Sequence, residues 1–254
     1  MSKRAFTGAS LIAGFLFLVC ATNAPASVVP VNGISADGRT YPELAAAWYQ
    51  WALSIPAAVN PMTDRDGSYA VTGQGAQNPV FFLAPSIGGD FTRSIEVGPR
   101  TQLFFPVVAA VAFDDPDETF TQAQLRAQLD ELLGTTSILY ARLDGQQIPN
   151  VFAYRAASPA GSSFTIQLPD ANLYDLPPGP YDSAVADGWW LLLDPLSPGE
   201  HQLRFEGGTG DPNNSELYQG VSYLISVTPE PASVALIGFV ALATLASRSR
   251  VRRA

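Results

Sequence analysis

Pro198-Gly199-Glu200-His201-Gln202-Leu203-Arg204-Phe205, followed downstream by Val221-Ser222-Tyr223-Leu224-Ile225-Ser226-Val227, is the stretch that decides the fold. Pro198-Gly199 breaks the chain, and the residues after it then alternate: Gln202 and Arg204 polar, Leu203 and Phe205 apolar. Side chains along a strand point to opposite faces with a period of two, so this pattern is a strand with one wet face and one buried face. Tyr223, Ile225 and Val227 repeat the spacing and supply its neighbour. Working outward, similar short segments recur between turn signals: Ser137 to Leu143 before Asp144-Gly145, Val151 to Arg155, Ser163 to Leu168, and Ala184 to Leu193. Further upstream lie Pro79 to Leu83, Arg93 to Val97 and Thr101 to Phe113, separated by Pro85, Gly88-Gly89 and Gly98-Pro99. About nine short strands at this rhythm predict a mainly β chain, a single β-sandwich or jelly-roll-like domain.

Two segments carry a helical period instead. In Tyr41 to Ile55, Leu44, Trp48, Trp51 and Ile55 fall at three- and four-residue intervals, with Pro42 in the first turn and Pro56 closing the run. The aromatic stripe predicts packing against the core, with Trp48 and Trp51 buried. Thr121 followed by Gln124 is a capping box, and Leu125, Leu129, Leu132 and Leu133 give the second helix its apolar face before Gly134 ends it. The expected fold is thus one β domain decorated by two helices, without internal repeats.

Charge narrows the partners. The 254 residues carry 14 basic and 23 acidic side chains, but six of the basic ones sit in the two tails. Between Ser27 and Thr228 there are eight arginines and no lysine against 22 acidic residues, about -14. Such a surface repels nucleic-acid backbones and anionic lipid, so no nucleic-acid partner is expected. The single cysteine, Cys20, lies in the first apolar run, which leaves the folded part without a disulfide or a cysteine metal site.

Both ends are addresses. Lys3-Arg4, the apolar run Leu11 to Val19, and Ala24-Pro25-Ala26 form the positive region, apolar region and small-x-small cleavage site of a secretory signal peptide, with Ala24 and Ala26 as the recognised residues and Ser27 as the expected mature start. At the other end, Ala232 to Ala246 is fifteen uncharged, mostly apolar residues, followed by Arg248, Arg250, Arg252 and Arg253. The arginines place that end on the cytoplasmic side. Fifteen helical residues reach only about 22 Å across a hydrocarbon layer of about 30 Å, a marginal span. Before it, Pro229 and Pro231 keep the junction extended and open to a peptidase.

Thr228-Pro229-Glu230-Pro231, the short apolar helix with Leu236 and Gly238, and the arginine cluster resemble the PEP-CTERM sorting signal of bacterial proteins handled by an exosortase. The resemblance covers 228–254 and departs from the commonest form at Thr228, where valine is usual, and at Ser249 and Val251, which interrupt the arginines. It implies a chain of three parts: residues 1–26 as signal peptide, 27–227 as exported β-rich domain, and 228–254 as sorting signal. It further implies signal peptidase and an exosortase-like membrane peptidase as processing partners, transient residence in the inner membrane, and delivery to the cell surface or an exopolysaccharide matrix.

Chemistry is thinly represented. His201 is the only histidine, which excludes a histidine-rich zinc site and makes it the one residue on which a catalytic triad could turn. No nucleophile elbow, phosphate-cradling loop or dinucleotide fingerprint occurs. Asp64-Arg65-Asp66-Gly67 opens like a calcium loop, but Thr72 and Gly75 stand where further oxygen ligands are needed, so an exposed turn is expected. Asp114-Asp115-Pro116-Asp117-Glu118 reads as a solvated acidic turn before the second helix. No metal, cofactor or catalytic residue is assigned. Adjacent Trp189 and Trp190 point to opposite faces of a strand, so one is expected in the core and the other free, with Asp187 (in an Asp187-Gly188 turn) and Asp194 marking the strand ends as possible hydroxyl partners for a glycan. The leading reading is a non-enzymatic structural protein of an exopolysaccharide or biofilm matrix. A polysaccharide-binding module is the alternative, and a glycoside hydrolase using two of Asp182, Asp187, Asp194 and Glu206 is the second alternative.

Overall fold

The computed structural model describes residues 27–75, 78–87, 89–114, 118–208 and 218–229. The signal peptide with Ala24 and Ala26, the acidic positions 115–117, Gly88, and the sorting residues Glu230, Pro231, Arg248, Arg250, Arg252 and Arg253 lie outside the described residues.

The alternation of Gln202 to Phe205 belongs to one of two sheets. In chain order the elements are α1 (Tyr41–Leu53), β1 (Val80–Phe82), β2 (Asp90–Val97), β3 (Gln102–Ala112), α2 (Gln122–Leu133), β4 (Ile138–Leu143), β5 (Gln146–Gln147), β6 (Phe164–Leu168), β7 (Gly179–Leu193), β8 (Gly199–Gly208) and β9 (Gln219–Val227). The protein is mainly β, with two mixed sheets of order β1-β3-β7-β6 and β2-β9-β8-β4-β5, an arrangement compatible with a β-sandwich. Parallel pairing occurs at β1/β3 and β2/β9, and the remaining pairs are antiparallel. Every second residue of β8 and β9 is buried, among them Leu203, Phe205, Val221, Tyr223, Ile225 and Val227. They pack with Leu103, Phe105, Val107, Leu191 and Leu193 of the other sheet into one apolar cluster.

The opposite face of β3 and β7 is covered by α1. Tyr41, Leu44, Ala45, Trp48, Tyr49 and Ala52 pack on Phe104, Trp190 and Leu192. Trp48 is 1% and Trp51 7% exposed, which places the aromatic stripe in the core as its spacing predicts. Trp190 sits at the centre, stacked on Phe104 at 5.3 Å and edge-on to Trp48 and Tyr49. Each such ring, fully buried, contributes roughly 2–3 kcal/mol by area, and well-placed ring pairs add about 0.5–1.5 kcal/mol. The helix begins at the capping box of Thr40 and Glu43 and ends at Leu53, two residues before the predicted Ile55. The second helix, α2, starts at the predicted box, where Thr121 accepts from the Gln124 amide, and sets Leu125 and Leu129 against Val185 of β7.

Two expectations are corrected. Val151 to Arg155 is a 3-10 turn over Val151–Tyr154, because Asn150 adopts the left-handed conformation at φ 55° and turns the chain out of the sheet. The strand number is kept by β5, formed where Asp144 (φ 50°) and Gly145 (φ 80°) make the hairpin turn that Asp-Gly favours. Asp187-Gly188 is no turn either; it lies inside β7, opposite Ala110 and Ala109. A Cβ on Gly188 would stand 2.4 Å from that of Ala109, so the glycine permits the close approach of β3 and β7.

Candidate functional site

β7 buries both tryptophans proposed as glycan contacts and leaves Asp187 partly exposed. Trp190 is fully buried under α1, and its indole N–H donates to the Ala156 carbonyl at 3.1 Å. Trp189, expected to be the free ring of the pair, is 6% exposed. The 3-10 turn covers it: its N–H donates to the Phe152 carbonyl at 3.2 Å, the Phe152 ring meets it edge-on, and the Arg155 guanidinium lies over it at 5.3 Å. Asp187 accepts from that same Arg155 at 2.8 Å, and Arg155 also reaches Asp130 of α2 at 2.6 Å. The hydrogen bond that Arg155 donates to Asp187 is the first cause that holds the Arg155 pKa above its ordinary value. Asp194, seven positions further along an extended chain, is about 23 Å away, where its carboxylate accepts from Ser27 and, at 3.3 Å, from Gln102.

The carboxylates proposed for hydrolysis are equally dispersed. Glu206 belongs to the other sheet, where Arg204 holds it at 2.5 Å and grips Asp90 with two bonds of 3.0 Å across β9. Gly220 leaves room for that bridge. The phenol of Tyr218 donates to Glu206 at 2.8 Å, and its pKa is pushed up to about 12, first by burial and then by this carboxylate. Asp182 accepts from Thr165 at 2.8 Å. No two of Asp182, Asp187, Asp194 and Glu206 share a partner among the hydrogen bonds of the described residues.

A serine, the histidine and an aspartate do meet, at the start of β8. His201 Nδ1 lies 2.7 Å from Asp144 Oδ2, and Nε2 lies 3.3 Å from Ser197 Oγ. Nε2 is closer, at 2.8 Å, to the Ser197 carbonyl oxygen than to the Ser197 hydroxyl, so the geometry turns this nitrogen toward the backbone rather than toward a nucleophile. With 7% of its surface exposed, His201 ties the strand to the Asp144 turn.

The Asp64 turn is more than a solvated loop. Asp64 is 4% exposed and its carboxylate accepts from the amides of Asp66, Gly67 and Tyr69. Arg93, 1% exposed, spends its guanidinium on the carbonyls of Asp64 (2.8 Å), Ala84 (2.6 Å), Pro85 and Met62 and on the Tyr223 hydroxyl (2.8 Å). The loop so fastened lies along the outer strand β2, with the Ser94 amide donating to Asp66 at 2.8 Å, and closes part of that sheet edge. Among the described residues no group of three or more His, Cys, Asp and Glu side chains is placed to hold a metal ion.

An open groove of about 600 Å³ lies at the start of β7, lined by Tyr181, Asp182, Asp114, Gln122 and Ser163 beside the run Pro177-Pro178-Gly179-Pro180. Tyr181 is held by its hydroxyl on the Pro177 carbonyl at 3.0 Å and by Phe113 at 5.2 Å, and Phe113 in turn meets the half-exposed Tyr174. Burial raises the Tyr174 pKa. The sequence signal for this groove is the proline-rich run Pro177-Pro178-Gly179-Pro180 leading into Tyr181-Asp182.

Ser27 and Thr228, next to the expected processing points, are both tied to the described strands. Val28 bridges Leu193, and Val29 donates to Leu192 at 2.8 Å, so the chain from Ser27 continues the edge of β7. At the far end Val227 of β9 pairs with Val97, and the Thr228 amide donates to the Val97 carbonyl at 3.2 Å. Among the described residues the last strand thus ends at Val227, two residues before Pro229. Among the described residues no helix is long and apolar enough to cross a membrane.

The chain matches no protein-family profile and no curated protein sequence. Among solved structures it is similar to a chain in "Structure of PbICP-C in complex with falcipain-2", at 9% identity and a TM-score of 0.23, over 59% of this chain and 97% of that one. A likeness at that level carries no argument about fold or activity.

Proposed function

We propose that this chain is an exported bacterial protein of the cell surface or extracellular matrix, with a structural, non-enzymatic role in an exopolysaccharide or biofilm matrix, its two sheets forming a single β-sandwich. The observation that carries the reading is the order of parts at the C terminus: Pro229-Glu230-Pro231, a short apolar run, then arginines. The position of Thr228, hydrogen-bonded at the end of β9, supports it, because a tail cut beyond that point takes no described strand with it. An acidic, lysine-free body stapled by buried rings suits a passive component. The test is the intact mass of the protein recovered from cell surface and medium of a host with the sorting machinery. The expected mass begins at Ser27 and ends near Pro229. Changing Pro229, Glu230 and Pro231 together to alanine leaves export intact and the arginine tail uncut in the inner membrane; a plain tail anchor predicts no change.

The groove favours a second reading, polysaccharide binding. A tyrosine ring flanked by two carboxylates, an amide and a hydroxyl offers an apolar surface with partners for sugar hydroxyls. Its acidic lining favours neutral or amino-sugar chains over uronates. Titration with chitosan hexamer, followed by NMR, checks this: Tyr181→Ala abolishes the shifts if the groove binds, and shifts that survive it place binding elsewhere.

A further inference from the structure

Asp194 is held at both carboxylate oxygens and at its backbone amide. Its Oδ1 accepts from Gln102 at 3.3 Å, and Gln102, 6% exposed, is itself fixed by the Ala36 amide on its carbonyl oxygen at 2.6 Å. Its Oδ2 accepts from the Ser27 hydroxyl, while its backbone amide donates to the Ser27 carbonyl at 3.0 Å. Two residues on, the Val29 carbonyl accepts from the buried Tyr41 hydroxyl at 2.6 Å, and that hydroxyl accepts from the Leu192 amide at 3.1 Å. Ser27 to Val29 is thus pinned beside Leu192 to Asp194 from both sides, and the carboxylate is oriented at both oxygens.

Three bonds separate the Ser27 nitrogen from its own hydroxyl oxygen, so the nitrogen lies within about 6 Å of the Asp194 carboxylate. In the precursor that nitrogen is a neutral amide. Cleavage after Ala26 turns it into an α-ammonium, and opposite charges at this separation favour each other's charged form.

We infer that signal-peptide removal completes an ion pair between the new α-ammonium of Ser27 and Asp194, an N-terminal lock that exists only in the mature protein. The inference rests on the export reading and deepens it: the same cut that releases the chain ties its first strand segment to the end of β7. Asp194 thereby acquires a role as receptor for the processed terminus, in place of the glycan contact expected of it.

The sequence supplies an unusually clean probe. Lys3 is the only lysine and leaves with the signal peptide, so the mature chain has one amine, that of Ser27. Mature protein from exporting cells is treated with an acetylating N-hydroxysuccinimide ester at pH 7, and the rate is read by intact mass. Because only the unprotonated amine reacts, the pair slows acetylation about three- to tenfold relative to Asp194→Asn, the effect of a pKa raised by roughly half to one unit. In 1 M NaCl the unsubstituted protein accelerates toward the variant, as a screened pair must, while the free peptide Ser-Val-Val does not. This salt arm stands even where Asp194→Asn does not fold. Equal rates in protein and variant, or no salt response, overturn the inference alone. A mass retaining Met1 to Ala26 overturns the export reading, and the inference with it.

Discussion

Replacing Arg93 with methionine tests the most demanding local arrangement in the fold. The substitution keeps an unbranched apolar stem of similar reach and removes every donor. Of the carbonyls Arg93 serves, that of Ala84 still accepts from Tyr223 at 2.7 Å and that of Met62 from the Ile87 amide at 3.1 Å. Those of Asp64 and Pro85 keep no other protein donor among the hydrogen bonds of the described residues. A buried polar group left without its partner costs about 1–3 kcal/mol. Two of them, reduced by the relief of no longer desolvating a guanidinium, give a loss of about 3 kcal/mol. For a body of about 200 residues that corresponds to a Tm lower by roughly 6–12 °C. Urea unfolding followed by tryptophan fluorescence measures it, and native-state hydrogen exchange localises it: the Ser94 amide, bonded to Asp66, exchanges faster as the loop at Asp64 lifts from β2. Arg93→Lys falls between the two proteins, since one ammonium cannot span the fork. A midpoint within 1 kcal/mol of the original, with unchanged Ser94 exchange, would refute the reasoning.

Three further outcomes follow from the packing and the titrations. Gly188→Ala places a Cβ within 2.5 Å of the Val108 carbonyl oxygen and costs about 2–3 kcal/mol in urea unfolding, whereas Gly145→Ala, whose Cβ meets nothing within 4 Å, loses only what its positive φ demands, about 1 kcal/mol. All four tryptophans lie at or below 7% exposure, so emission is blue-shifted and iodide quenches it weakly until the protein unfolds; strong quenching in the folded state contradicts the burial of Trp189. Stability declines as pH rises from about 10 through about 12, because the Tyr218 phenol is held protonated in the folded state while its unfolded counterpart ionises. Its contribution is complete below pH 10 and lost above pH 12, and Tyr218→Phe removes that share of the alkaline slope.

Much of the fold was legible because strand and helix periods are properties of a single segment. The alternation at Gln202 to Phe205 became β8, the capping box at Thr121 became the start of α2, and the spacing of Trp48 and Trp51 placed them inside. Where a turn signal competed with tertiary packing, packing won: Asp187-Gly188 runs through β7 because a residue without a side chain lets two strands approach. Val151 to Arg155 looked like a strand from its composition, and Asn150 in a left-handed conformation made it a turn instead. The candidate groove is not legible in the sequence because its lining comes from the turn after β3, from α2, from the approach to β6 and from the start of β7, which are distant in sequence.

The sequence alone determined the local periods, the acidic and lysine-free character of the body, and the two terminal patterns, since each is set by residues within one turn or one strand of each other. Only the tertiary structure decided what covers each face. Trp189 and Trp190 do point to opposite sides of β7, yet both are buried, because α1 lies on one side and the Phe152 turn with Arg155 on the other. Arg93 shares its inward face with Ile95 and Val97 by the same period of two, and nothing in the strand announces the loop carbonyls that make its burial tolerable. A strand fixes the direction of its side chains through its own geometry; whether that direction meets solvent, a ring or a hydrogen-bond acceptor depends on chain that arrives from elsewhere.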